Sequence, residues 1–511
     1  MWIWPVVLVL SLAATGLALV RHMHMFQLNS YAPATHAGWL GKHRSYWLPQ
    51  LVALVVGVLC LAWPVPGLIV ALVWLAIAIW TNRPRRGQAK KPLVNTARVI
   101  RMYVTVIVVA GLIMAAIIWI PMPWRILSVL MPYVLSPLWV LIANGINAPI
   151  EAGVRRHYLK DAERMLASHA SLVRIGITGS YGKTSVKFYL ATLLKGHYSV
   201  LMTPESYNTP MGITKTIRAD LRATHEVFVC EMGAKKVGEI REDCDLVHPQ
   251  IGVITAIGEQ HLETFGSQAN ILKTKLELAD AVRGVGPVYL NGDNEILRAN
   301  LPDQERHLYG LRTDNDTYAY DIKVRTAGTT FSLSHRGRII SDLVTPLIGA
   351  HTIQNLTGAI AVALDLGVTE SELRTQLKKL TPAPHRLALS TQGEVTIIDD
   401  AYNSNPAGAK AALETLGLFE GTKILITPGM VELGERQDKL NEEFGAQAAV
   451  CDHVYLVGPR QTEPIARGLL GTGYDESKLT VVSDVKQAIA AAYKLPGRKV
   501  ILLENDLPDN Y

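Results

Sequence analysis

Not one aspartate or glutamate occurs before Glu151, and the same stretch holds five apolar runs, at 2–20, 48–63, 67–80, about 102–120 and about 126–143. Each run is near the length needed to cross bilayer hydrocarbon, and an acid-free, apolar stretch of this size does not read as the half-wetted surface of a globular domain. The first 150 residues therefore predict an α-helical transmembrane bundle of about five spans. The second and third runs are short and meet at Pro64-Val65-Pro66, so one broken or re-entrant segment is the alternative to two crossings.

Charge orients these spans. Through residue 160 the chain has 14 Lys and Arg against one acid, whereas the remainder has 36 basic and 43 acidic residues, so the overall +6 conceals two regions of opposite sign. Arg21, Lys42 and Arg44 fall in a loop at 21–47, seven Lys and Arg crowd 82–101, and Arg155, Arg156 and Lys160 follow the last run. By the bias of cationic residues toward the cytoplasm, these segments and everything after about 150 face the cytoplasm, with the N-terminus outside. The chain is thus expected to be a multi-pass protein of the plasma membrane. Because the basic residues flank spans, the basic balance does not indicate nucleic acid. Residues 1–20 lack the basic leading segment of a cleaved signal and read as an uncleaved anchor. Cys60, Cys230, Cys244 and Cys451 stand singly, which excludes a Cys-x-x-Cys zinc or redox motif.

After the membrane region, β-branched runs alternate with helical patterns: 172–178, 226–231, 251–257 and 287–290, then 395–399, 423–427, 453–457 and 499–503. Strands separated by helices predict parallel sheets covered on both faces. The fold class expected is a transmembrane bundle followed by two α/β domains, with boundaries at 1–150, 151–380 and 381–511 and a hinge near Thr381-Pro382-Ala383-Pro384.

The first strand of that region breaks into Gly179-Ser180-Tyr181-Gly182-Lys183-Thr184-Ser185. Glycines there let backbone N–H groups approach phosphate oxygens, Lys183 can reach the outer phosphates, and the Thr184 hydroxyl can hold Mg²⁺ at a helix N-terminus. The spacing is Gly-x-x-Gly-Lys-Thr, with Ile177 where the longer P-loop pattern has its first glycine. Four further features fall near expected strand ends or helix starts. Glu231 closes Val227-Phe228-Val229-Cys230-Glu231 beside Met232-Gly233, as a metal-binding carboxylate or a solvated strand-end acid. His261 follows a strand in Glu259-Gln260-His261-Leu262-Glu263; alone, it would read as structural. Lys275 lies in Lys273-Thr274-Lys275-Leu276-Glu277, which alone would read as a solvated basic face. Asn355 lies in Gly349-Ala350-His351-Thr352-Ile353-Gln354-Asn355, with polar groups able to meet a base.

In this order and spacing, these segments resemble the Mur ligase family, ATP-dependent enzymes that add amino acids or peptides to a carboxylate. Ile398-Asp399-Asp400-Ala401-Tyr402-Asn403-Ser404-Asn405-Pro406, and Glu231-Met232-Gly233-Ala234 with Gly238-Glu239-Ile240, look most like its MurF branch, which joins D-alanyl-D-alanine to a UDP-muramoyl tripeptide. The resemblance runs from about Arg174 to the end. It implies ATP and Mg²⁺ as cofactors, with Lys183 and Thr184 on triphosphate and metal, Glu231 and His261 on a second metal, and Lys275 carbamylated by CO₂ as a further metal ligand. It also implies Asn355 at adenine, Arg386 reaching the phosphates from the last domain, Asp400 binding nucleotide, and Lys183, His261 and Lys275 in the catalytic centre. The partners implied are a small-molecule amino acid or peptide amine and a carboxylate acceptor.

The chain departs from that pattern in three places. The five spans replace the family's uridine-nucleotide-binding domain, Glu504-Asn505-Asp506 stands where MurF has Lys-Gly-Ser, and Ala256 and Gln260 replace asparagine and alanine. The expectation is therefore a membrane-bound acid–amino-acid ligase of cell-envelope synthesis whose acceptor is lipid-linked or membrane-associated. The aromatic and basic residues of 21–47 would meet a lipid headgroup, or else form an interfacial belt. A nucleotide-driven transporter or sensor, and an ATP-binding scaffold without ligase activity, are the other two readings. The first lacks ionisable residues in the spans to line a pathway.

Overall fold

The computed structural model describes residues 3–62, 64–82, 92–117, 130–258, 260, 262–402, 404–458 and 461–506. The chain divides into two compact units, one built from the residues up to Arg156 and one from His157–Asp506.

The first unit is helical: Ile3–Leu28, Pro33–Lys42, Leu48–Ala62, Pro64–Asn82, Ala97–Ile117 and the start of Ser136–Ala167. Among the described residues, Leu8–Leu28 is the one helix segment long and apolar enough to cross a membrane by length and composition. Leu48–Ala62 has 15 residues, a rise of about 22 Å, short of a hydrocarbon core of about 30 Å. It folds back on Pro64–Asn82, with Ala53, Val56, Leu75 and Ala78 in one buried cluster. The stretch 21–47, read from sequence as a loop, is largely helical. Leu19, Met23 and Phe26 continue the buried face of the first helix against Val99, Met102 and Trp139, and that packing carries the helix past Arg21 to Leu28. Arg155, Arg156 and Lys160, which follow the last apolar run, lie on helix Ser136–Ala167. Glu151, the first acid of the chain, pairs with Arg101 at 2.7 Å.

The second unit holds a nine-stranded sheet in the order β2-β3-β1-β4-β5-β6-β7-β8-β9. Its strands are β1 (Val173–Thr178), β2 (Val200–Met202), β3 (Val227–Glu231), β4 (Ile251–Ile254), β5 (Val288–Asn291), β6 (Arg306–Gly310), β7 (Thr317–Arg325), β8 (Gly328–His335) and β9 (Arg338–Thr345). β2 to β7 pair in parallel, and β7-β8-β9 is an antiparallel meander that the strand–helix alternation did not foretell. β3 shows why the interior strands are apolar throughout. Val227 and Val229 enter one core, Phe228 enters the core on the opposite face with Cys230, and only a strand covered on both sides buries both parities. β1 lies between β3 and β4, and the chain leaving it runs first toward β2 and later returns to β4. The turn after β1 thus opens where the connections reverse, the usual ligand crevice of such sheets.

A second sheet, ordered β10-β11-β15-β12-β13-β14, follows: β10 (Ala388–Gln392), β11 (Val395–Asp400), β12 (Thr422–Thr427), β13 (His453–Val457), β14 (Leu479–Val482) and β15 (Lys499–Glu504). It is parallel except for the β10–β11 hairpin. The segment between helix Glu370–Leu377 and β10 contains His385 and Leu387, both left-handed at φ 57° and 50°.

Candidate active site

The loop after β1 can only be built with glycine at two positions. A Cβ on Gly179, at φ 145°, would lie 2.1 Å from Thr255 Oγ1, and one on Gly182, at φ 81°, would lie 2.5 Å from Asn355 Oδ1. Gly182 is the N-cap of helix Lys183–Leu194, whose first N–H groups have no intrahelical acceptor and face the loop's concavity. Ser180 anchors the loop, its N–H donating to the Ala256 carbonyl at 2.7 Å and its hydroxyl to the Gly258 carbonyl at 3.1 Å. The Tyr181 carbonyl accepts from the Thr255 hydroxyl, and its ring packs so closely on Gly258 that no side chain fits there. Ser185 lies on the first turn of the helix, where its side chain bonds Tyr189. A cradle whose Cβ space is denied at two points, with an ammonium and a hydroxyl at its rim, fits a polyphosphate.

Lys183 donates to the carbonyls of Gly179 and Ser180 at 2.8 and 3.1 Å, folded over the cradle. Burial lowers its pKa to about 8, with Glu231 opposing and Arg386 and Lys187 adding to the drop. The Thr184 hydroxyl donates to Glu231 Oε2 at 3.0 Å, joining the metal-binding hydroxyl and carboxylate expected from sequence. Burial alone would raise the Glu231 carboxyl, yet Lys187 and Lys183 outweigh it and hold the group below its ordinary value. A charged carboxylate beside a hydroxyl is a hard oxygen pair suited to Mg²⁺.

Lys275 sits on helix Gln268–Val282 and is 3% exposed, not on a solvated face. Its Nζ lies 5.8 Å from the Phe265 ring centroid. Burial first and Lys183 second lower its pKa to about 7, against the pull of Asp243, Glu239 and Glu277, which favours the neutral, nucleophilic amine over the ammonium. Asn355, on helix Ala350–Asp365, has its amide against Gly182, at the phosphate loop. His261 and Glu259 lie outside the described residues.

From the second sheet's side, the Arg386 guanidinium lies 4.6 Å from the Tyr402 ring centroid, close enough to the loop to depress Lys183. Its neighbours are pinned: His385 Nδ1 meets Asp399 at 2.7 Å and the Leu387 N–H donates to Asp400 at 3.2 Å. Burial raises Asp400 to about 6, with Arg386 and that N–H pulling down. The structure thus brings Glu231 to the loop through Thr184 and Asn355 against Gly182, with Arg386 and Lys275 near enough to Lys183 for their charges to act on one another and Asp400 beside Arg386.

Two groups there were not singled out from sequence. Lys187 pairs with Glu231 at 2.9 Å, the two side chains 0% and 1% exposed. Asn208 donates to the other oxygen of Glu231 at 3.0 Å. Lys187 follows Lys183 by one helical turn, the single signal that it shares the same face.

Where the Lys-Gly-Ser of MurF is missing, Glu504 accepts from Thr427 Oγ1 at 2.6 Å and from the Ser404 hydroxyl. Burial raises its pKa to about 7 from an ordinary 4.5; the hydroxyls oppose this and Asp400 adds to it. A carboxyl raised in this way contributes stability that is fully present below its ordinary value and is lost as pH rises through the folded value. Glu504→Gln is therefore expected to melt with the native protein near pH 4 and progressively above it between about pH 5 and pH 8. Melting curves across that range with a constant difference would refute this.

Profiles of known families match both halves of the second unit: "Mur ligase middle domain" at residues 177–363 and "Mur ligase, glutamate ligase domain" at 385–503. UDP-N-acetylmuramoyl-tripeptide–D-alanyl-D-alanine ligase of Bacillus subtilis (strain 168) is 33% identical over 289 residues, 56% of this chain and 62% of that protein. The Escherichia coli (strain K12) ligase of the same name is 28% identical over 361 residues, 68% of this chain and 79% of that protein. The chain thus spans less than two thirds of the first of these relatives. Among solved structures, MurF from Acinetobacter baumannii superposes with TM-score 0.62 at 26% identity, covering 69% of this chain and 77% of that one. MurF from Thermotoga maritima, in complex with ADP, gives 0.61 at 28% identity, covering 69% and 80%. With the phosphate loop, the carboxylate, the buried lysine and both sheets in place, the chain belongs to the Mur ligase family of ATP-dependent amide ligases and is MurF-like.

Proposed function

We propose that this protein is a membrane-bound ATP-dependent carbon–nitrogen ligase of cell-envelope synthesis, acting through an acyl phosphate. The observation that carries the reading is that the Lys183 loop meets Glu231 through Thr184, with the buried Lys275 near enough to feel the Lys183 charge. An acceptor carboxylate attacks the γ-phosphorus of ATP, the bond to ADP breaks, and the amine donor then displaces phosphate from the acyl carbon to leave an amide. Lys183 offsets phosphate charge, and Arg386 adds a second cation from the other domain. Closing the two domains over the crevice would exclude water from the acyl phosphate.

Thr184 and Glu231, with His261 and a carbamate on Lys275, are the residues that would hold Mg²⁺, which when bound offsets charge as carboxylate and polyphosphate approach. The partly neutral Lys275 amine favours carbamylation, since only the free amine attacks CO₂; the product is an anion where an ammonium would repel metal. Membrane attachment is supported by Leu8–Leu28 and by apolar side chains turned outward on the first unit's helices: Val9, Ile69, Ile107 and Leu112 are all 60% exposed or more. With that unit in place of a sugar-nucleotide domain, the acceptor proposed is lipid-linked. The altered Glu504 end of β15 leaves the amine open among amino acids and short peptides.

Mass spectrometry tests this on the full chain in detergent with ATP, Mg²⁺, bicarbonate, envelope lipids, amino acids and D-alanyl dipeptide. A lipid species heavier by one amide-linked donor, absent with Lys183→Ala, is expected. A product formed only on a soluble nucleotide-sugar peptide would discard the lipid-linked acceptor. ATP turnover with no product would favour the transporter or scaffold reading.

A further inference from the structure

Lys187 does more at Glu231 than cancel a charge. Its ammonium, 2.9 Å from Glu231 Oε2, also donates to the carbonyl of Glu205, in the loop that leads to helix Pro210–Asp220. Glu205 is left-handed at φ 40°. The next residue, Ser206, bonds through its hydroxyl to the hydroxyl of Tyr402, beyond β11 in the second domain, and the Tyr402 ring carries Arg386 at 4.6 Å. The same loop returns through Asn208 to the other oxygen of Glu231. An unbroken run of polar contacts thus joins the carboxylate to the arginine of the opposite domain.

We propose that Lys187 is a positioning residue that ties cation capture at Glu231 to the docking of Arg386. The inference rests on the reading of Glu231 as a metal ligand. Thr184 Oγ1 and Lys187 share Glu231 Oε2, so with a divalent cation held at that oxygen the ammonium would be repelled and its bond to the Glu205 carbonyl favoured. That fastens the loop at 205–208 and, through Ser206, Tyr402 beneath Arg386. A carboxylate that needed only neutral donors already has them in Thr184 and Asn208; the second bond of Lys187 is what a link between domains requires.

The test is a double-mutant cycle on the full chain in detergent, with Lys187→Met, Lys187→Arg, Tyr402→Phe and Lys187→Met/Tyr402→Phe. Two quantities are read: Mn²⁺ affinity with ADP by electron paramagnetic resonance, and hydrogen exchange of residues 203–209 without metal or nucleotide. Lys187→Met is expected to speed that exchange, with recovery in Lys187→Arg; Mn²⁺ should bind the Lys187→Met variant more tightly, since a competing cation leaves Glu231, and its affinity should no longer respond to Tyr402→Phe. Tyr402→Phe, which removes one hydroxyl from a side chain 44% exposed and so does not threaten folding, is expected to weaken Mn²⁺ by about threefold although it is no ligand. The double variant should bind Mn²⁺ as Lys187→Met alone does, the Tyr402→Phe effect having vanished. Independent effects of the two substitutions, unchanged Mn²⁺ affinity in Tyr402→Phe, or native exchange in Lys187→Met would each overturn the link. Absence of Mn²⁺ binding to the unaltered protein would instead remove the metal reading of Glu231, and the link with it.

Discussion

Lys275→Ala is expected to lower kcat for ligation by about 10³-fold, the scale of losing one group that stabilises developing charge, while KM for ATP moves by no more than about threefold. The separation follows from where the lysine sits. It is buried on Gln268–Val282, and the glycine loop proposed to cradle phosphate, with Lys183 folded over it, is held by other residues, Ser180 and Thr255 among them. If the working group is a carbamate, formate or acetate in the space left by the side chain should restore part of the rate, and neither should help Lys275→Arg, which fills that space with a permanent cation. The unaltered protein in ¹³C-bicarbonate should show a carbamate carbon by nuclear magnetic resonance, and Lys275→Ala should not. A variant retaining more than about a tenth of the native kcat would show that Lys275 does no chemistry.

Gly179→Ala is expected to abolish measurable ATP binding, a loss of at least about 3 kcal/mol or some two orders of magnitude in Kd. The added Cβ would lie 2.1 Å from Thr255 Oγ1 and 3.0 Å from the Ala256 backbone nitrogen, on a backbone at φ 145° that alanine rarely adopts. Thr255 cannot simply turn away, because its hydroxyl bonds the carbonyls of Thr178 and Tyr181, so the loop itself must move. Gly238→Ala is the control. It is also left-handed, at φ 91°, but its Cβ would meet nothing within 4 Å, so only conformational strain of about 1 kcal/mol in stability is expected there, with ATP binding intact. Isothermal titration of both variants decides the matter, and equal affinities would mean that loop geometry does not set nucleotide binding.

What could be read from sequence follows from how each signal is encoded. β1, β3 and β4 are continuous apolar runs because both their faces are covered, and such runs stand out without any partner in view. The phosphate loop is legible because one short segment carries all its parts. Lys275 and Lys187 are different in kind. A lysine on a helix says nothing about burial until other segments cover it, and Lys187 acquires its meaning only from Glu231 on a strand that reaches it through the fold. The meander escaped notice because β7 to β9 pair with each other in a region read for strand–helix alternation, and Tyr320 to Lys323 carries an irregularity that interrupts the period of two. In the first unit, hydropathy marked apolar runs but not helix ends, since Met23 and Phe26 extend a helix by packing and not by composition.

The two left-handed residues that bracket Arg386 have an entropic consequence. His385 and Leu387 gain nothing intrinsically from φ 57° and 50°, and a bulky leucine there is costly, by about 1–2 kcal/mol. That cost is met when the chain folds and Asp399 and Asp400 take up their bonds, before any nucleotide arrives. If Arg386 binds phosphate as proposed, the guanidinium would meet its anion preorganised, with little freedom left to surrender on binding, thermal robustness of this linker being traded for affinity. Relaxing the backbone at Leu387 with glycine would move the balance the other way, giving a steadier fold with a less decisive arginine.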